Sequence, residues 1–233
     1  MTESDKILIL KKYPLWAALS EEEYHDLQVL DNFKEVKEGA FIYFEAFQHN
    51  KIYFIKSGYI RLGYLDEVGN RAIKDILQPG DFFGQISLEK ENLNGEFAQA
   101  MRSDVSLCSF TVEKFDALLR KKPQLAVTYS KWIGVRLRRF ENRLLNLLQK
   151  DAKTRLIHFL EQLLKEAKTR KESGPDEVRI PNYLIHEEIA QLIGTSRQTV
   201  TTLFNELKED GICVYGRKEL KLFRSRLKSG SGG

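Results

Sequence analysis

The stretch from His186 to Asn205, HEEIAQLIGTSRQTVTTLFN, decides the fold of the C-terminal part of this chain. Apolar residues recur at helical spacing on both sides of Gly194, which favours two short helices joined by a glycine-centred turn. Ala190 is small where a second helix would cross, and Val200 is placed to pack back onto the first helix. Ser196 is a good N-cap for the second helix. This spacing predicts a helix-turn-helix.

The outward face of the second helix carries polar side chains suited to reading DNA bases. They are Arg197, Gln198, Thr201, Thr202 and Asn205. Arginine can read guanine and glutamine can read adenine through paired hydrogen bonds, and threonine offers a hydroxyl and a methyl group. The alternative is an ordinary helical hairpin with exposed polar residues.

A predicted hairpin follows the second helix. Two apolar runs, Ile212–Tyr215 and Leu220–Phe223, flank the turn Gly216–Lys218. Such a hairpin is typical of the wing in a winged helix-turn-helix. Arg217 and Lys218 at its tip suit phosphate contacts.

The net charge is unevenly distributed along the chain. The 233 residues hold 37 Lys and Arg against 33 Asp and Glu, a formal excess of four. From Lys150 to Gly233 the counts are 16 and 12, so the whole excess lies in the half with the predicted helix-turn-helix. Gly211–Gly233 alone has six basic residues and one acidic residue. This placement favours DNA as the partner of the C-terminal half.

The segment from Phe33 to Thr111 has the pattern of short β-strands. Apolar residues recur with a period of two, and turn signals interrupt them at Ser57-Gly58, Gly69-Asn70 and Pro79-Gly80-Asp81. Short strands with regular punctuation predict a small barrel or jelly roll. The expected fold class is α+β, with an N-terminal β-roll sensor domain, a long dimerisation helix and a C-terminal winged helix-turn-helix domain.

A long helix is predicted between these two parts, from Gln124 to Gln149. Its a/d seam, which spans two heptads, consists of Ile133, Leu137, Phe140, Leu144 and Leu147. Its solvent side is basic, with Lys131, Arg136, Arg138, Arg139 and Arg143. A narrow seam with charged flanks favours a dimerisation helix, and a core helix within a bundle is the alternative.

These patterns divide the chain into four parts. Residues 1–123 are expected to form the sensor domain, 124–150 the dimerisation helix and hinge, and 151–227 the winged helix-turn-helix domain. The polar segment 168–182 within the last domain is expected to be a loop or short wing, and the tail 228–233 to be disordered. No membrane-length apolar stretch or signal-peptide pattern is present, so the expected location is the cytoplasm, with no membrane partner.

Together these features resemble the Crp/Fnr family of bacterial transcription regulators over nearly the whole chain. The motifs that carry the resemblance are Ser57-Gly58, PGDFFG from Pro79 to Gly84, the start of the second domain from Asp151 to Leu156, and GTSRQTV from Gly194 to Val200. The resemblance implies a homodimer that binds double-stranded DNA at a two-fold symmetric site and has RNA polymerase as a partner.

The resemblance also assigns roles on the second helix. In the family, the Ser-Arg pair that opens this helix contacts phosphate and guanine, which implies those roles for Ser196 and Arg197. Gln198 stands where the family often has Glu, and Thr202 where some members have a contacting Arg, so the operator sequence stays open. The DNA-binding residues expected are Ser196, Arg197, Gln198, Thr201, Thr202, Arg217 and Lys218.

The expected effector pocket departs from the family pattern. Members that bind cyclic AMP resemble Gly-Glu-(Leu/Ile)-x-Leu followed by Arg-(Ser/Thr)-Ala, where Glu holds the ribose and Arg the cyclic phosphate. This chain has Gly84-Gln85-Ile86-Ser87-Leu88 and then Glu96-Phe97-Ala98. A glutamate at the arginine position repels a phosphate, which argues against cyclic-nucleotide binding. The pocket residues expected are Gly84, Gln85, Ile86, Glu96, Phe97 and Ala98.

Cysteine and histidine content bears on two other effectors of the family. An iron–sulfur cluster needs four thiolates, and the chain has only Cys108 and Cys213, so a cluster is excluded. A haem would need an axial ligand from His25, His49 or Cys108, and a lone histidine is more often a surface residue. The sequence therefore argues against haem and predicts no metal site, and it leaves the effector itself open.

Two other classes of function are alternatives. A cyclic-nucleotide-binding module without DNA binding conflicts with the helix-turn-helix and with the position of the excess charge. An enzyme would need paired carboxylates in a motif, a Ser/His/Asp pattern or a phosphate-cradling glycine loop, and the sequence has none of them. The sequence predicts a DNA-binding regulator with a β-roll that senses a small molecule or has lost sensing.

Overall fold

The computed structural model describes residues 2–44, 50–65, 68–69, 71–88, 95–167 and 170–230. The chain divides into two compact units, Met1–Leu137 and Arg138–Gly233. The division falls inside the long helix rather than at its end, so each unit contains part of that helix.

The first unit is an antiparallel β-roll preceded by three short helices. The helices are α1 (Glu3–Leu10), α2 (Pro14–Ala17) and α3 (Glu21–Asp26). The strands are β1 (Phe33–Val36), β2 (Phe41–Phe44), β3 (Lys51–Leu65), β4 (Arg71–Leu77), β5 (Phe82–Gly84) and β6 (Glu96–Thr111). The long strands β3 and β6 pair with each other, β1 and β2 pair with β6, and β4 and β5 pair with β3. The predicted β-rich fold of the N-terminal domain is confirmed.

Of the predicted turns in the roll, one is confirmed and one is wrong. Pro79-Gly80-Asp81 separates β4 from β5, and the Asp81 carboxylate accepts a hydrogen bond from the Gln78 N–H. Ser57-Gly58 instead lies within the continuous strand β3, where the register against β6 shifts and Gly58 has a φ of 83°. A glycine inside a strand pattern can mark a bulge instead of a turn. Asn70 of the third predicted turn lies outside the described residues.

The core of the first unit is aromatic. Trp16 is fully buried and meets Phe54 and Phe110 edge-on, with ring centroids 5.2 and 5.5 Å apart. Helix α4 (Val112–Lys121) packs Phe115 into the same core. Edge-to-face contacts of this kind add to the area that the rings bury, so this core holds the helices against the roll.

The long helix α5 (Pro123–Gln149) has close to its predicted bounds, and its five predicted seam residues differ in exposure. Ile133 packs against the core of the first unit and Phe140 is half-buried. Leu137 and Leu144 are each 57% exposed. Heptad spacing alone does not distinguish the face that the chain's own core needs from a partner-facing one. Within the described ranges, no helix is both long and apolar enough to span a bilayer.

The second unit is a winged helix-turn-helix. Its helices after α5 are α6 (Ala152–Glu166), α7 (His186–Ile193), α8 (Arg197–Glu209) and α9 (Arg224–Gly230). Its strands, in sheet order β7-β8-β10-β9, are β7 (Lys171–Glu172), β8 (Glu177–Pro181), β10 (Glu219–Phe223) and β9 (Cys213–Tyr215). Ile189, Val200 and Leu207 are fully buried, so the predicted inner faces of α7 and α8 lie in the core.

Two predictions for the second unit are corrected. The segment 168–182, expected as a loop or short wing, contains β7 and β8, because Val178 and Ile180 alternate inward among polar neighbours and are buried. The tail 228–233, expected to be disordered, is helical as far as Gly230, since α9 continues directly from β10. Residues 231–233 lie outside the described part of the chain.

Candidate nucleic-acid interface and roll cavity

The turn between α7 and α8 has the geometry that the sequence predicts. Gly194 ends α7 in the left-handed conformation, with φ of 67° and ψ of 51°, which a residue with a Cβ adopts only at a cost. The Ser196 hydroxyl caps α8 by accepting the Thr199 N–H at 3.0 Å. Ala190 and Val200 are buried, as a close helix crossing requires. The predicted helix-turn-helix is confirmed.

All seven predicted DNA-binding residues are exposed on the second unit. They are Ser196, Arg197, Gln198, Thr201 and Thr202 at the start of α8, and Arg217 and Lys218 in the turn between β9 and β10. None of the described residues forms an ion pair with the three cations of this set, so these charges face solvent. The N-terminal end of α8 adds a partial positive charge. This surface is suited to a polyanion.

An aromatic cluster that the sequence patterns do not reveal joins α8 to the wing. The His186 ring stacks on Phe204 of α8, with centroids 5.1 Å apart. Tyr215 of β9 lies 4.4 Å from His186 and 4.8 Å from Phe204, measured between ring centroids. The Tyr215 hydroxyl donates to the carbonyl of Leu184 at 2.7 Å. These contacts fix the wing relative to α8.

Asn182 restrains the wing tip. Its backbone N–H donates to the carbonyl of Lys218 at 2.9 Å, and its Nδ2 donates to the carbonyl of Gly216 at 2.8 Å. The tip cations, Arg217 and Lys218, therefore extend from a turn whose backbone is tied down on both sides. No motif in the sequence indicates this role for Asn182.

Arg155 connects the end of α5 to the helix-turn-helix. Its guanidinium donates to the carbonyls of Lys150 and Ile193, both at 2.7 Å, and to that of Gly194 at 3.1 Å. Leu147 lies against the same turn, since a Cβ on Gly194 would come within 2.5 Å of Leu147 Cδ2. Arg155 thus bonds the residue that follows α5 to the turn that orients α8, and Leu147 of α5 packs against the same turn.

A second candidate site is a cavity of about 110 Å³ inside the first unit. Its lining consists of Leu62, Lys74, Phe83, Gly84, Gln85, Ile86, Ser87, Glu96 and Arg136. Four of the six expected pocket residues, Gly84, Gln85, Ile86 and Glu96, belong to this lining. The other two, Phe97 and Ala98, are fully buried in the core instead. Successive side chains of β6 face opposite sides, so Phe97 turns away from the side that Glu96 faces.

Glu96 is only 2% exposed, and both of its carboxylate oxygens have partners. Oε2 lies 2.9 Å from Lys74 Nζ, and Oε1 accepts the Tyr43 hydroxyl at 2.7 Å. Burial lowers the pKa of Lys74, but the hydrogen bond and charge of Glu96 outweigh it and raise that pKa. Burial and the Glu96 charge raise the pKa of Tyr43. The carboxylate is therefore satisfied by the protein's own donors.

Arg136 brings α5 into the wall of the cavity. Its Nη1 donates to the carbonyl of Phe82 at 2.6 Å, and its Nη2 lies 3.6 Å from Asp75 Oδ2. Tyr129, two turns earlier, donates to the carbonyl of Ile86 at 2.6 Å. The sequence predicts Arg136 on the solvent side of α5. That prediction is wrong, since Arg136 is only 8% exposed. On this face of α5, Tyr129 and Arg136 donate hydrogen bonds to backbone carbonyls of the roll.

The three candidate haem ligands are not brought together among the described residues. His25 lies on α3 with 54% of its side chain exposed. Cys108 is fully buried in the core, where burial raises the pKa of its thiol to about 12. His49 lies outside the described residues. Within the described ranges, no group of three or more metal-ligating side chains is present.

Family comparisons agree with this two-part organisation. Residues 33–122 match the family model of the cyclic nucleotide-binding domain, and residues 154–224 match that of the Crp-like helix-turn-helix domain. A roll of the first kind joined to a winged helix-turn-helix of the second kind defines a class of DNA-binding transcription regulators.

Whole-chain relatives give the family. The chain is 30% identical to the cyclic AMP receptor protein of Thermus thermophilus over 210 residues, which cover 89% of this chain and 91% of that protein. It is 27% identical to the global nitrogen regulator of Synechocystis over 180 residues, 77% of this chain and 79% of that protein. The solved structure of a CooA mutant from Carboxydothermus hydrogenoformans has a TM-score of 0.70 at 27% identity and covers 86% of this chain and 87% of its own. The chain belongs to the Crp/Fnr family, which confirms the resemblance found in the sequence.

Proposed function

We propose that this chain is a bacterial transcription regulator that binds, as a homodimer, a two-fold symmetric DNA site in the cytoplasm. The observation that carries the proposal is the exposed polar and cationic surface formed by the start of α8 and the wing tip. In such a dimer each α8 would enter the major groove, with half-site centres about 34–36 Å apart. RNA polymerase is the further partner that we propose.

The proposal assigns a function to each part of the chain. Residues 1–123 form the sensor domain, 124–150 the dimerisation helix and hinge, and 151–227 the DNA-binding domain. The relatives are transcription regulators rather than enzymes, which supports a binding function in place of catalysis.

An exposed apolar face of α5 supports the dimer. Leu137, Leu144, Leu145 and Leu148 are spaced 7, 1 and 3 residues apart, which places them on one side of a helix. Their exposed fractions are 57, 57, 50 and 73%. A contiguous stripe of exposed leucines indicates an interface with another molecule. A second α5 with the same stripe can pack against it and remove these leucines from water. Leu137 and Leu144 belong both to this stripe and to the predicted seam, and Leu147 of that seam is 40% exposed.

Sedimentation velocity tests the dimer. The wild-type chain is expected to sediment as a dimer at micromolar concentration. Leu144→Glu is expected to sediment as a monomer, because dimerisation would bury the new carboxylate between two leucine stripes without a counter-charge. Gln124→Glu, also on an exposed position of α5 but outside the stripe, is the matched control and is expected to stay dimeric. A monomeric wild type, with DNA present, would overturn the proposal.

Selection from a random DNA pool tests the DNA site. A symmetric consensus with half-sites about one helical turn apart is the expected result. A chain that enriches no sequence, or only an asymmetric single site, would contradict the proposed function.

We further propose that the roll does not bind cyclic AMP. Glu96 occupies the position at which cyclic-AMP-binding members have the phosphate-binding arginine, and Lys74 and Tyr43 already occupy its oxygens. The cavity of about 110 Å³ is also smaller than the roughly 300–1,000 Å³ of ordinary ligand pockets. Calorimetric titration with cyclic AMP is expected to show no saturable heat up to millimolar nucleotide. Micromolar binding would refute this.

Arg136 could couple ligand binding in the roll to the position of α5. Since this α5 residue lines the cavity, a small molecule bound there would contact the dimerisation helix directly. DNA affinity measured before and after unfolding, dialysis and refolding tests whether such a molecule is needed. Lost affinity that a filtered cell extract restores indicates sensing, and unchanged affinity indicates that the roll has lost it.

A further inference from the structure

Thr201 lies on the exposed face of α8, yet its hydroxyl is already used within the protein. Thr201 Oγ1 lies 2.8 Å from His186 Nδ1 and 3.0 Å from the carbonyl oxygen of Arg197. A hydroxyl has one proton, and a carbonyl can only accept. The Thr201 proton therefore goes to Arg197, and the hydroxyl accepts a hydrogen bond from the N–H at His186 Nδ1.

The imidazole that makes this bond is held rigidly. His186 is stacked on Phe204 and meets the ring of Tyr215, which is itself anchored to Leu184. His186 Nε2 is buried and has no partner among the described residues. With the proton on Nδ1, Nε2 carries only a lone pair, which avoids burying an unpaired N–H. The same tautomer thus satisfies Thr201 and suits the buried ring edge.

These bonds change what Thr201 can offer to a base. Its Cβ carries two substituents, Oγ1 and a methyl group, and both hydrogen bonds draw Oγ1 toward the protein. The hydroxyl has no proton left for the acceptors of guanine or for O4 of thymine. The methyl group is the substituent that remains for the groove. The apolar group that a base pair presents in the major groove is the C5 methyl of thymine.

We infer that Thr201 reads a thymine through a methyl–methyl contact, with His186 as the positioning residue that holds the hydroxyl away. The inference rests on the proposed entry of α8 into the major groove. The competing reading is that the second lone pair of Oγ1 accepts a hydrogen bond from adenine or cytosine.

Deoxyuridine, which lacks only the C5 methyl of thymidine, gives the direct test. The selected operator is resynthesised with deoxyuridine at each thymine in turn, and affinities are measured for wild type, T201S and T201V. Serine keeps the hydroxyl and loses the methyl, whereas valine keeps a methyl and loses the hydroxyl.

At one thymine of each half-site, the wild type is expected to lose about fourfold in affinity on deoxyuridine substitution, the value for burial of one methyl group. T201S is expected to show no such loss at that base, and T201V to keep the fourfold ratio even if its overall affinity falls. A wild type indifferent to deoxyuridine at every thymine, or a T201V that loses the ratio, overturns the inference.

Histidine variants test the positioning role. H186F keeps a stacking ring but lacks the N–H that bonds the Thr201 hydroxyl, so the Thr201 side chain can rotate. The ratio of affinities for the thymine and deoxyuridine operators is then expected to fall. In a T201V background the same change is expected to leave the ratio alone, because valine has no hydroxyl to hold. An equal fall in both backgrounds assigns His186 a merely structural role. A wild type that selects no operator refutes the proposed function, which is a different result from the failure of this inference.

Discussion

The candidate sites of the two units place their charged groups in opposite ways. In the first unit, charged side chains enter the interior and pair there: Glu96 with Lys74, and Arg136 with Asp75. In the second, Arg197 and the wing-tip cations stand exposed with no ion-pair partner among the described residues. A buried charge persists only when the protein supplies its partner, whereas a cluster of exposed like charges is suited to a partner from outside.

This contrast separates two questions about function. The side chains at the start of α8 and at the wing tip are exposed to solvent and are therefore available to contact DNA. The interior of the first unit has already used the charges that could hold an anionic ligand. We therefore propose that the resemblance to a cyclic nucleotide-binding domain extends to the fold of the roll and not to the chemistry of its cavity.

The largest expected effect is a loss of stability of the first unit when its Glu96–Lys74 ion pair is broken. Glu96→Gln removes the charge that pairs with Lys74 and is expected to destabilise this unit by about 2–3 kcal/mol, because it leaves the half-buried Lys74 ammonium without its counter-charge. Both tryptophans, Trp16 and Trp132, lie in this unit, so urea unfolding followed by tryptophan fluorescence measures it.

A surface pair in the same unit is the control for that change. Lys37 and Asp104 form an ion pair whose side chains are 84 and 46% exposed. Lys37→Met is expected to leave the urea midpoint nearly unchanged. If Glu96→Gln were equally mild, the interior pairs would not be the structural feature that distinguishes this unit.

The next effect is on DNA affinity. Arg197→Ala is expected to cost about 1–3 kcal/mol for the operator and less for random DNA, if the guanidinium reads a guanine. Lys218→Ala is expected to weaken both kinds of DNA alike and to reduce the salt slope of binding by about one. Fluorescence anisotropy at several salt concentrations checks both. An equal loss on operator and random DNA for Arg197→Ala would remove its base-reading role.

A smaller effect is expected at the turn of the helix-turn-helix. Gly194→Ala places a Cβ on a residue with positive φ and should destabilise the second unit by about 1–2 kcal/mol. The new methyl also meets Leu147, so Leu147→Ala in the same chain should restore part of the loss. Hydrogen exchange of α7 and α8 amides follows this unit by itself. Full recovery in the double variant would assign the whole cost to the contact instead of the backbone.

The smallest effect is a pH dependence in the second unit. Burial, and secondly the Arg197 charge, lower the pKa of His186 below its ordinary value of 6.5. Since the folded chain favours the neutral ring, this contribution to stability is complete above pH 6.5 and is lost as the pH falls below it. His186→Asn, which keeps a donor but does not titrate in this range, is expected to flatten the profile. Amide exchange of α8 between pH 8 and 5.5 measures it, and parallel profiles would contradict it.

Local patterns predicted the helix-turn-helix and the wing of the second unit well. The helix-turn-helix depends on residues within one short stretch, where Ala190, Gly194 and Val200 each meet a steric requirement at a set spacing. The wing is likewise a local hairpin. The seven predicted DNA-binding residues are all exposed because their helix and turn were placed correctly.

Long-range packing limited the prediction elsewhere. Ile133 of the predicted seam packs against the core of the first unit, and nothing within the helix indicates which of its faces that core takes. Arg136 joins the cavity from a helix far along the chain, so spacing around Gly84 could not indicate it. Strand β8 was missed because polar residues surround its two buried ones. Glu96 lines the cavity, and its partners Lys74 and Tyr43 come from other strands, so no local pattern indicates them.

The bonds that Arg155 makes have a consequence for building hybrid regulators. A graft that joins a new DNA-binding domain at Lys150 would separate Arg155 and Gly194 from the residues that they contact, Lys150 directly after α5 and Leu147 in its last turn. A graft made between Leu137 and Arg138, where the two compact units divide, transfers all of these contacts together. The natural module for exchange is thus the winged helix together with the last three turns of α5.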